Sequence, residues 1–89
     1  MNRKTCYFAG HVQGVGFRYT AQDLARGFNV FGYVRNLPDG RVELIIEGPD
    51  DQMDALIRAI QQKMEGLIQR TTCDASPATG EFKQFSIRH

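Results

Sequence analysis

A glycine-rich loop that runs directly into an arginine is the part of this sequence best suited to chemistry. Residues 10–16 read Gly-His-Val-Gln-Gly-Val-Gly, and Arg18 follows after one phenylalanine. Glycines let backbone N–H groups converge on one point, and the start of a helix adds positive potential there. The planar guanidinium of Arg18 matches two oxygens of a phosphate or carboxylate. The segment therefore predicts an anion site, although it is neither a Walker loop nor a dinucleotide fingerprint.

The remaining reactive side chains do not form a recognisable catalytic group. Neither Cys6 nor Cys73 begins a loop that ends in arginine, and the adjacent Asp50 and Asp51 fit the cap of a helix better than a catalytic pair. We expect His11, in the loop, to be inert. Without a nucleophile, a base or a metal site, an enzyme can only position water and stabilise charge. Acyl phosphates suit that chemistry because their leaving group is a carboxylate of pKa about 4.

Hydrophobic periodicity predicts the elements that must position these residues. Helical spacing of apolar residues predicts a helix of about three turns after the loop and a second helix after Pro49. We expect Asn29 to end the first helix in a left-handed conformation. Alternating patterns predict strands over residues 5–9, 31–37, 41–47, 67–73 and 82–87. The order β-α-β-β-α-β plus a short C-terminal strand is that of a ferredoxin-like α/β sandwich, of the α+β class. We expect residues 1–89 to form a single domain.

This topology predicts which residues meet. The first two strands run in the same direction with the third inserted between them, so both finish at the same end of the sheet. The loop that carries Arg18 and the late strand residue Asn36 should therefore lie close together. A lone arginine is by default a surface ion-pair residue, and asparagine is common before hairpin turns. Their convergence beside a glycine-rich loop favours a functional site over two such separate explanations.

Two segments resemble the signatures of the acylphosphatase family. Residues 8–18, Phe-Ala-Gly-His-Val-Gln-Gly-Val-Gly-Phe-Arg, are similar to the first signature. Residues 32–36, Gly-Tyr-Val-Arg-Asn, are similar to the second, together with the spacing of Gly40, Val42 and Gly48. Phe8 stands where the family usually has an aliphatic residue, and Asn29 where it usually has a helix-ending glycine. Neither departure touches the residues that carry the chemistry.

The resemblance implies an enzyme that uses no metal and no cofactor. It would hydrolyse the carboxyl-phosphate bond of acyl phosphates by direct attack of water, with inorganic phosphate as product and inhibitor. The two catalytic residues would be Arg18, which binds the anion, and Asn36, which orients the water. The phosphate would be held by the backbone amides of a run of six residues, namely Gln13, Gly14, Val15, Gly16, Phe17 and Arg18.

Composition restricts the partners. A formal net charge of +1 argues against nucleic acid. No apolar run approaches the about 18 residues of a membrane span, and two cysteines suit a cytoplasmic protein. We expect a monomer. The main alternative is a non-enzymatic anion-binding or regulatory module. RNA binding through Tyr7, Tyr19 and Tyr33 ranks lower because the RNA-binding signature is missing.

Two expectations concern residues far apart in the chain. The fourth strand should lie antiparallel to the first and bring Cys6 near Cys73. A cross-strand disulfide is the alternative, since sequence does not fix which way the two side chains face, but we predict that both remain reduced thiols, as is usual in the cytoplasm. The last strand should return toward the site and carry His89 with it. Its terminal carboxylate would then pair with Arg18.

Overall fold

The computed structural model describes residues 1–89, which form five strands and two helices. In chain order these are β1 (Asn2–Gly10), α1 (Phe17–Ala25), β2 (Phe31–Asn36), β3 (Val42–Gly48), α2 (Asp50–Lys63), β4 (Ile68–Pro77) and β5 (Phe85–Arg88). The strands form one sheet in the order β4-β1-β3-β2-β5. Both helices pack on the same face of it, where a single hydrophobic core lies.

Strand directions confirm the predicted ferredoxin-like α+β fold. Strands β1 and β2 each pair antiparallel with β3, so they run parallel to one another. Strand β4 pairs antiparallel with β1, and β5 pairs parallel with β2. The end of β1, the end of β2 and the end of β5 therefore all face the same edge of the molecule.

Period-two alternation places the core on the helix side of the sheet. Val42, Leu44 and Ile46 on β3 are fully buried, as predicted from their spacing. The apolar stripe of α2 packs over them through Met53, Leu56, Ile57 and Ile60. Each such side chain stabilises the fold by about 1.5–3 kcal/mol when fully buried.

Helix α1 ends differently from the prediction. Every non-glycine residue of the chain has a negative φ, so Asn29 is not a left-handed cap. The helix stops at Ala25 and closes with a tighter turn, in which the N–H groups of Gly27 and Phe28 donate to the carbonyls of Leu24 and Ala25 at 3.0 and 3.1 Å. These bonds satisfy the last carbonyls, so no left-handed residue is required.

Helix α2 also begins differently from the prediction. Pro49 is its N-cap residue, and no side chain caps the first turn. The predicted capping role of Asp50 and Asp51 is therefore wrong, since both lie inside the first turn. There their negative charges suit the positive end of the helix dipole, and Asp50 also accepts a hydrogen bond from the side chain of Asn2 at 3.1 Å. Neither helix of the structure is long and apolar enough to span a membrane.

The last two strands have other bounds than expected. Strand β4 continues to Pro77 because its pairing with β1 continues as far as Asn2. Its residues 72–77 are all exposed, so hydrophobic alternation does not mark where the strand ends. Strand β5 begins only at Phe85.

The two cysteines form a disulfide between β1 and β4. Cys6 and Cys73 lie directly opposite one another in the antiparallel ladder, as the topology predicts, with their Cα atoms 4.1 Å apart. So short a distance is typical of the closely spaced pairs of such a ladder, in which the side chains are close together. The prediction of two reduced thiols is therefore wrong for this structure, because it was based on the compartment and not on the register.

Candidate active site

The loop between β1 and α1 is shaped by two glycines in the left-handed region. Gly14 has φ 76° and Gly16 has φ 79°, a conformation that residues with a Cβ rarely adopt. Gly16 is the N-cap of α1 and accepts the first helical hydrogen bond, from the N–H of Thr20 at 3.0 Å. No side chain caps this end and no acidic residue lies in the first turn. The positive end of the helix dipole therefore faces the loop uncompensated.

Buried aromatic packing holds the loop and the start of α1 in place. The side chain of Phe17 is 2% exposed, and its ring centroid lies 5.1 Å from that of Phe8 on β1. Val12, in the loop itself, is also fully buried. Arg18 follows an anchored residue and stands in the first turn of the helix, with its side chain outside the core. The ring of Phe8 thus supports Phe17, the residue that precedes Arg18. An aliphatic residue is usual at position 8 in the family whose signature this segment resembles.

The side chain of Gln13 fastens the loop to the turn between β2 and β3. Its amide nitrogen donates to the backbone carbonyls of Leu37 at 2.8 Å and Arg41 at 2.9 Å. These two carbonyls flank the hairpin turn directly after Asn36. The loop and the end of β2 are therefore tied together by hydrogen bonds and not only by the topology of the sheet.

Arg18 and Asn36 line the same small pocket, of about 90 Å³. The sequence-predicted residues that line it with them are Gly14, Gly16 and Phe17. Gln13 and Val15, also predicted as binding residues, are not part of its wall. Val12 and Tyr19 are, and the sequence analysis did not place them in the site. Val12 lies in the glycine-rich loop and Tyr19 directly follows Arg18, and these positions were the only signal in the sequence.

Two wider depressions lie elsewhere on the surface. One, of about 370 Å³, lies where α2 turns into β4 and has a single hydrophobic residue in its wall, and the other, of about 310 Å³, lies between α1 and β5. Neither contains Arg18 or Asn36. Both are larger than the 90 Å³ pocket, but they lack its combination of a left-handed glycine loop, a helix N-terminus and an arginine.

The side chains of Arg18 and Asn36 are available for a ligand. Asn36 forms no side-chain hydrogen bond within the protein, and Arg18 forms one, in which Nη1 lies 3.1 Å from Nδ1 of His89. His89 thus reaches the site, as predicted. The predicted pairing of Arg18 with a carboxylate is wrong, because β5 presents the imidazole ring to the guanidinium.

The pocket combines three kinds of donor around a volume suited to a tetrahedral anion. The guanidinium brings a full positive charge, the first turn of α1 brings N–H groups without intrahelical acceptors, and Asn36 brings a neutral amide. His11 is exposed and outside the pocket wall. Both cysteines are in the disulfide and provide no thiolate. This arrangement can bind a phosphoryl group and orient a polar molecule beside it.

Comparison with known proteins gives a consistent result. The acylphosphatase family model matches residues 4–87. The acylphosphatase of Methanospirillum hungatei is 48% identical over 69 residues, which cover 78% of this chain and 76% of that protein. That of Marinobacter nauticus is 38% identical and covers 100% of this chain and 98% of its own. The crystal structure of acylphosphatase from Bacillus subtilis superposes with a TM-score of 0.92 at 31% identity, and covers all of both chains.

The chain belongs to the acylphosphatase family, whose function is the hydrolysis of acyl phosphates. This confirms the resemblance of residues 8–18 and 32–36 to the two family signatures.

Proposed function

We propose that Arg18 and Asn36 carry out acyl phosphate hydrolysis in the 90 Å³ pocket. Arg18 and the backbone amides of the loop bind the phosphoryl oxygens, and Asn36 orients the attacking water. The observation that carries the proposal is that these two side chains line one pocket, although they stand 18 residues apart in the sequence.

The chemistry requires no further group. The water oxygen attacks phosphorus, the bond between phosphorus and the acyl oxygen breaks, and the electron pair leaves on the carboxylate. The water's proton passes to the phosphate product or to solvent. Because the leaving carboxylate has a pKa of about 4, it needs no general acid at neutral pH. Donors already in place stabilise the charge that develops on the phosphoryl oxygens.

The amides of residues 14–18 are the binding residues that the loop geometry supports best. Gly14 and Gly16 are in the left-handed region, and turns of this kind direct successive N–H groups to one point. Gln13 is better described as a residue that holds the loop, since its side chain donates to two backbone carbonyls.

The proposal extends to partners and compartment. Inorganic phosphate is the product and the competing ligand of the same pocket, and neither metal, cofactor, nucleic acid nor membrane takes part. We infer a monomeric single domain, residues 1–89, because only Met1 and Tyr19 are exposed among the large hydrophobic side chains. A cytoplasmic location remains part of the proposal, and the disulfide weighs against it.

One assay tests the catalytic assignment. Phosphate release from benzoyl phosphate is measured with EDTA present, for the natural chain and for Arg18→Gln. Turnover that survives EDTA and is lost in Arg18→Gln is the expected result. Activity abolished by EDTA and restored by magnesium, or unchanged in a folded Arg18→Gln variant, would refute the assignment.

A further inference from the structure

His89 is the only side chain that forms a hydrogen bond with the guanidinium of Arg18. Nη1 of Arg18 lies 3.1 Å from Nδ1 of the imidazole, across 71 residues of sequence. Strand β5 runs parallel to β2, so the residue that follows it is delivered to the same edge of the sheet as Asn36. The contact is thus produced by the sheet topology.

Only one form of the ring can make this contact as a hydrogen bond. Arginine donates and never accepts, so Nδ1 must be the acceptor and the ring proton must sit on Nε2. When the ring is protonated, Nδ1 has no lone pair, and two positive charges face one another. The hydrogen bond therefore exists only for neutral His89.

We propose that His89 is a positioning residue: its neutral ring holds Arg18 ready for the phosphoryl oxygens, and protonation releases it. The inference rests on the proposed function of Arg18. One hydrogen of Nη1 satisfies His89, which leaves Nε, Nη2 and the second hydrogen of Nη1 for the anion. A long side chain that is held before substrate arrives loses less conformational freedom on binding.

The charged side chains on the neighbouring elements are engaged elsewhere, and the terminal carboxylate of His89 itself is common to every variant of this residue compared below. On α1, Asp23 is paired with Arg26 at 3.1 Å. On β2, Arg35 is paired with Glu43 at 2.7 Å. On β5 itself, the guanidinium of Arg88 lies over the ring of Tyr33, 4.0 Å from its centroid. His89 forms no ion pair, and Arg18 is the only charged residue in hydrogen-bond contact with it.

Two substitutions separate the hydrogen bond from the titration. In His89→Asn, the amide oxygen stands near the former Nδ1 and accepts at every pH, whereas His89→Ala removes the acceptor. The readouts are kcat/KM for benzoyl phosphate between about pH 5 and 8, where histidine side chains change charge, and the inhibition constant of inorganic phosphate at pH 7.5. kcat/KM is chosen because it reports the free enzyme, in which no bound phosphate favours the charged ring.

The natural chain is expected to lose kcat/KM toward acid pH, and His89→Asn to keep its neutral value with a smaller acid decline. The decline that remains in His89→Asn belongs to the substrate. His89→Ala should show that smaller decline and, at pH 7.5, a kcat/KM lower by about 3- to 10-fold, the effect of one hydrogen bond, with weaker inhibition by phosphate. His11→Asn is the matched control, since this histidine is outside the pocket, and it should behave as the natural chain does.

An acid decline in His89→Asn equal to that of the natural chain would overturn the inference, as would an unaltered His89→Ala. In either case the response of Arg18→Gln still reports whether the proposed function holds. Circular dichroism of each variant checks that the fold is intact.

A second, independent observation concerns Tyr19, at the rim of the pocket. Tyr19 lines the pocket beside Arg18 but is 65% exposed, and Met1 is the only other large hydrophobic side chain that is so exposed. A pocket of about 90 Å³ takes the phosphoryl group and leaves the acyl group outside, at the rim. We propose that this group packs on the Tyr19 ring, so that acyl phosphates with an aromatic or extended apolar acyl group are preferred. This second inference also rests on the proposed function.

Two substrates and two substitutions test the role of Tyr19. Tyr19→Ala should lower kcat/KM for benzoyl phosphate by about 3- to 10-fold, as expected for the loss of one aromatic contact. It should leave acetyl phosphate and inhibition by inorganic phosphate unchanged, while Tyr19→Phe retains natural values. Equal losses for both substrates, or none for either, would refute the role in selectivity. If the natural chain hydrolyses neither substrate, the proposed function itself fails.

Discussion

The side-chain amide of Gln13 donates to the backbone carbonyl of Leu37 at 2.8 Å, and so joins the loop that carries Arg18 to the strand end that carries Asn36. A second bond from the same nitrogen to the carbonyl of Arg41, at 2.9 Å, spans the hairpin turn. The relative position of the two candidate catalytic residues therefore depends on a third side chain that does not line the pocket.

We predict that Gln13→Ala weakens both the fold and the activity. The carbonyls of Leu37 and Arg41 each lose one of two donors, since each also accepts a backbone N–H within the hairpin. The loss should lower the free energy of unfolding by about 0.5–1.5 kcal/mol. Turnover should fall as well, because the distance between Arg18 and Asn36 is no longer held. Urea unfolding and kcat measure the two effects. Gln61→Ala, at an exposed position on α2, is the matched control, and a folded Gln13→Ala with natural kcat would contradict the prediction.

Arg18→Gln should damage phosphate binding and turnover together. The guanidinium is assigned to the phosphoryl oxygens in both the ground state and the transition state, so its loss should affect both. We expect kcat/KM to fall by at least about 10²-fold and the inhibition constant of inorganic phosphate to rise. Arg26→Gln is the control, since Arg26 is exposed at the other end of α1. Strong phosphate inhibition in Arg18→Gln would show that the anion is held elsewhere.

Asn36→Ala should leave a different kinetic trace. This residue is assigned to the water and not to the anion, so we expect kcat to fall by roughly 10²–10³ while phosphate inhibition stays nearly intact. The side chain makes no hydrogen bond within the protein and is not fully buried, so the variant should fold. Asn29→Ala, at an exposed asparagine, provides the comparison. Near-natural kcat in Asn36→Ala would mean that another group positions the water.

Periodicity was sufficient to predict the topology and, through it, the meeting of Arg18 and Asn36. Val42, Leu44 and Ile46 alternate because one face of β3 packs under the helices, whereas the other carries the hydrogen-bonded carboxylates of Glu43 and Glu47, which are also buried. The pattern therefore marks the face that meets the helices. Once the strand order is known, the ends of β1 and β2 must meet at one edge. The meeting of Arg18 and Asn36 therefore follows from the topology alone, without a sequence pattern specific to either residue.

Features decided by pairing or by local backbone bonds were not predictable in this way. The exposed end of β4 is a strand only because β1 lies beside it. The state of Cys6 and Cys73 depends on an exact register, which periodicity does not determine to a single residue. Tyr19 is exposed, and hydrophobic periodicity identifies only buried positions. The periodicity therefore gives no indication that Tyr19 lines the pocket.

The hydrogen bonds of Glu47 predict how the stability of the fold depends on pH. Its carboxylate is almost fully buried, which by itself raises the pKa, but it accepts hydrogen bonds from the N–H groups of Thr79 and Gly80 at 2.9 and 3.0 Å and from Arg3 at 2.8 Å. These donors outweigh the burial and lower the pKa of Glu47 from 4.5 to about 2. A carboxyl whose folded pKa is depressed stabilises the fold above its unfolded pKa, and this contribution is lost as the pH falls from 4.5 toward 2.

Glu47→Gln should accordingly lower stability at pH 7 by about 2 kcal/mol, the range for a hydrogen bond to a charged group, and flatten the decline below pH 4.5. Urea unfolding at a series of pH values measures both. Glu65→Gln removes an exposed carboxylate that has no side-chain partner, and should change neither. An acid decline that persists in full in Glu47→Gln would assign it to other carboxylates.

The disulfide predicts a large difference between oxidised and reduced protein. Cys6 and Cys73 are 67 residues apart in sequence, and cross-linking a loop of that length restricts the unfolded chain by up to about 4 kcal/mol. Reduction should therefore lower the free energy of unfolding by about 2–4 kcal/mol. Cys73→Ser is the informative variant, because Cys73 is exposed whereas Cys6 is fully buried. It should be as stable as the reduced natural chain and should not respond to reductant. Alkylation of the unfolded, unreduced chain checks the premise, since labelling of both cysteines would show that the bond does not form in solution.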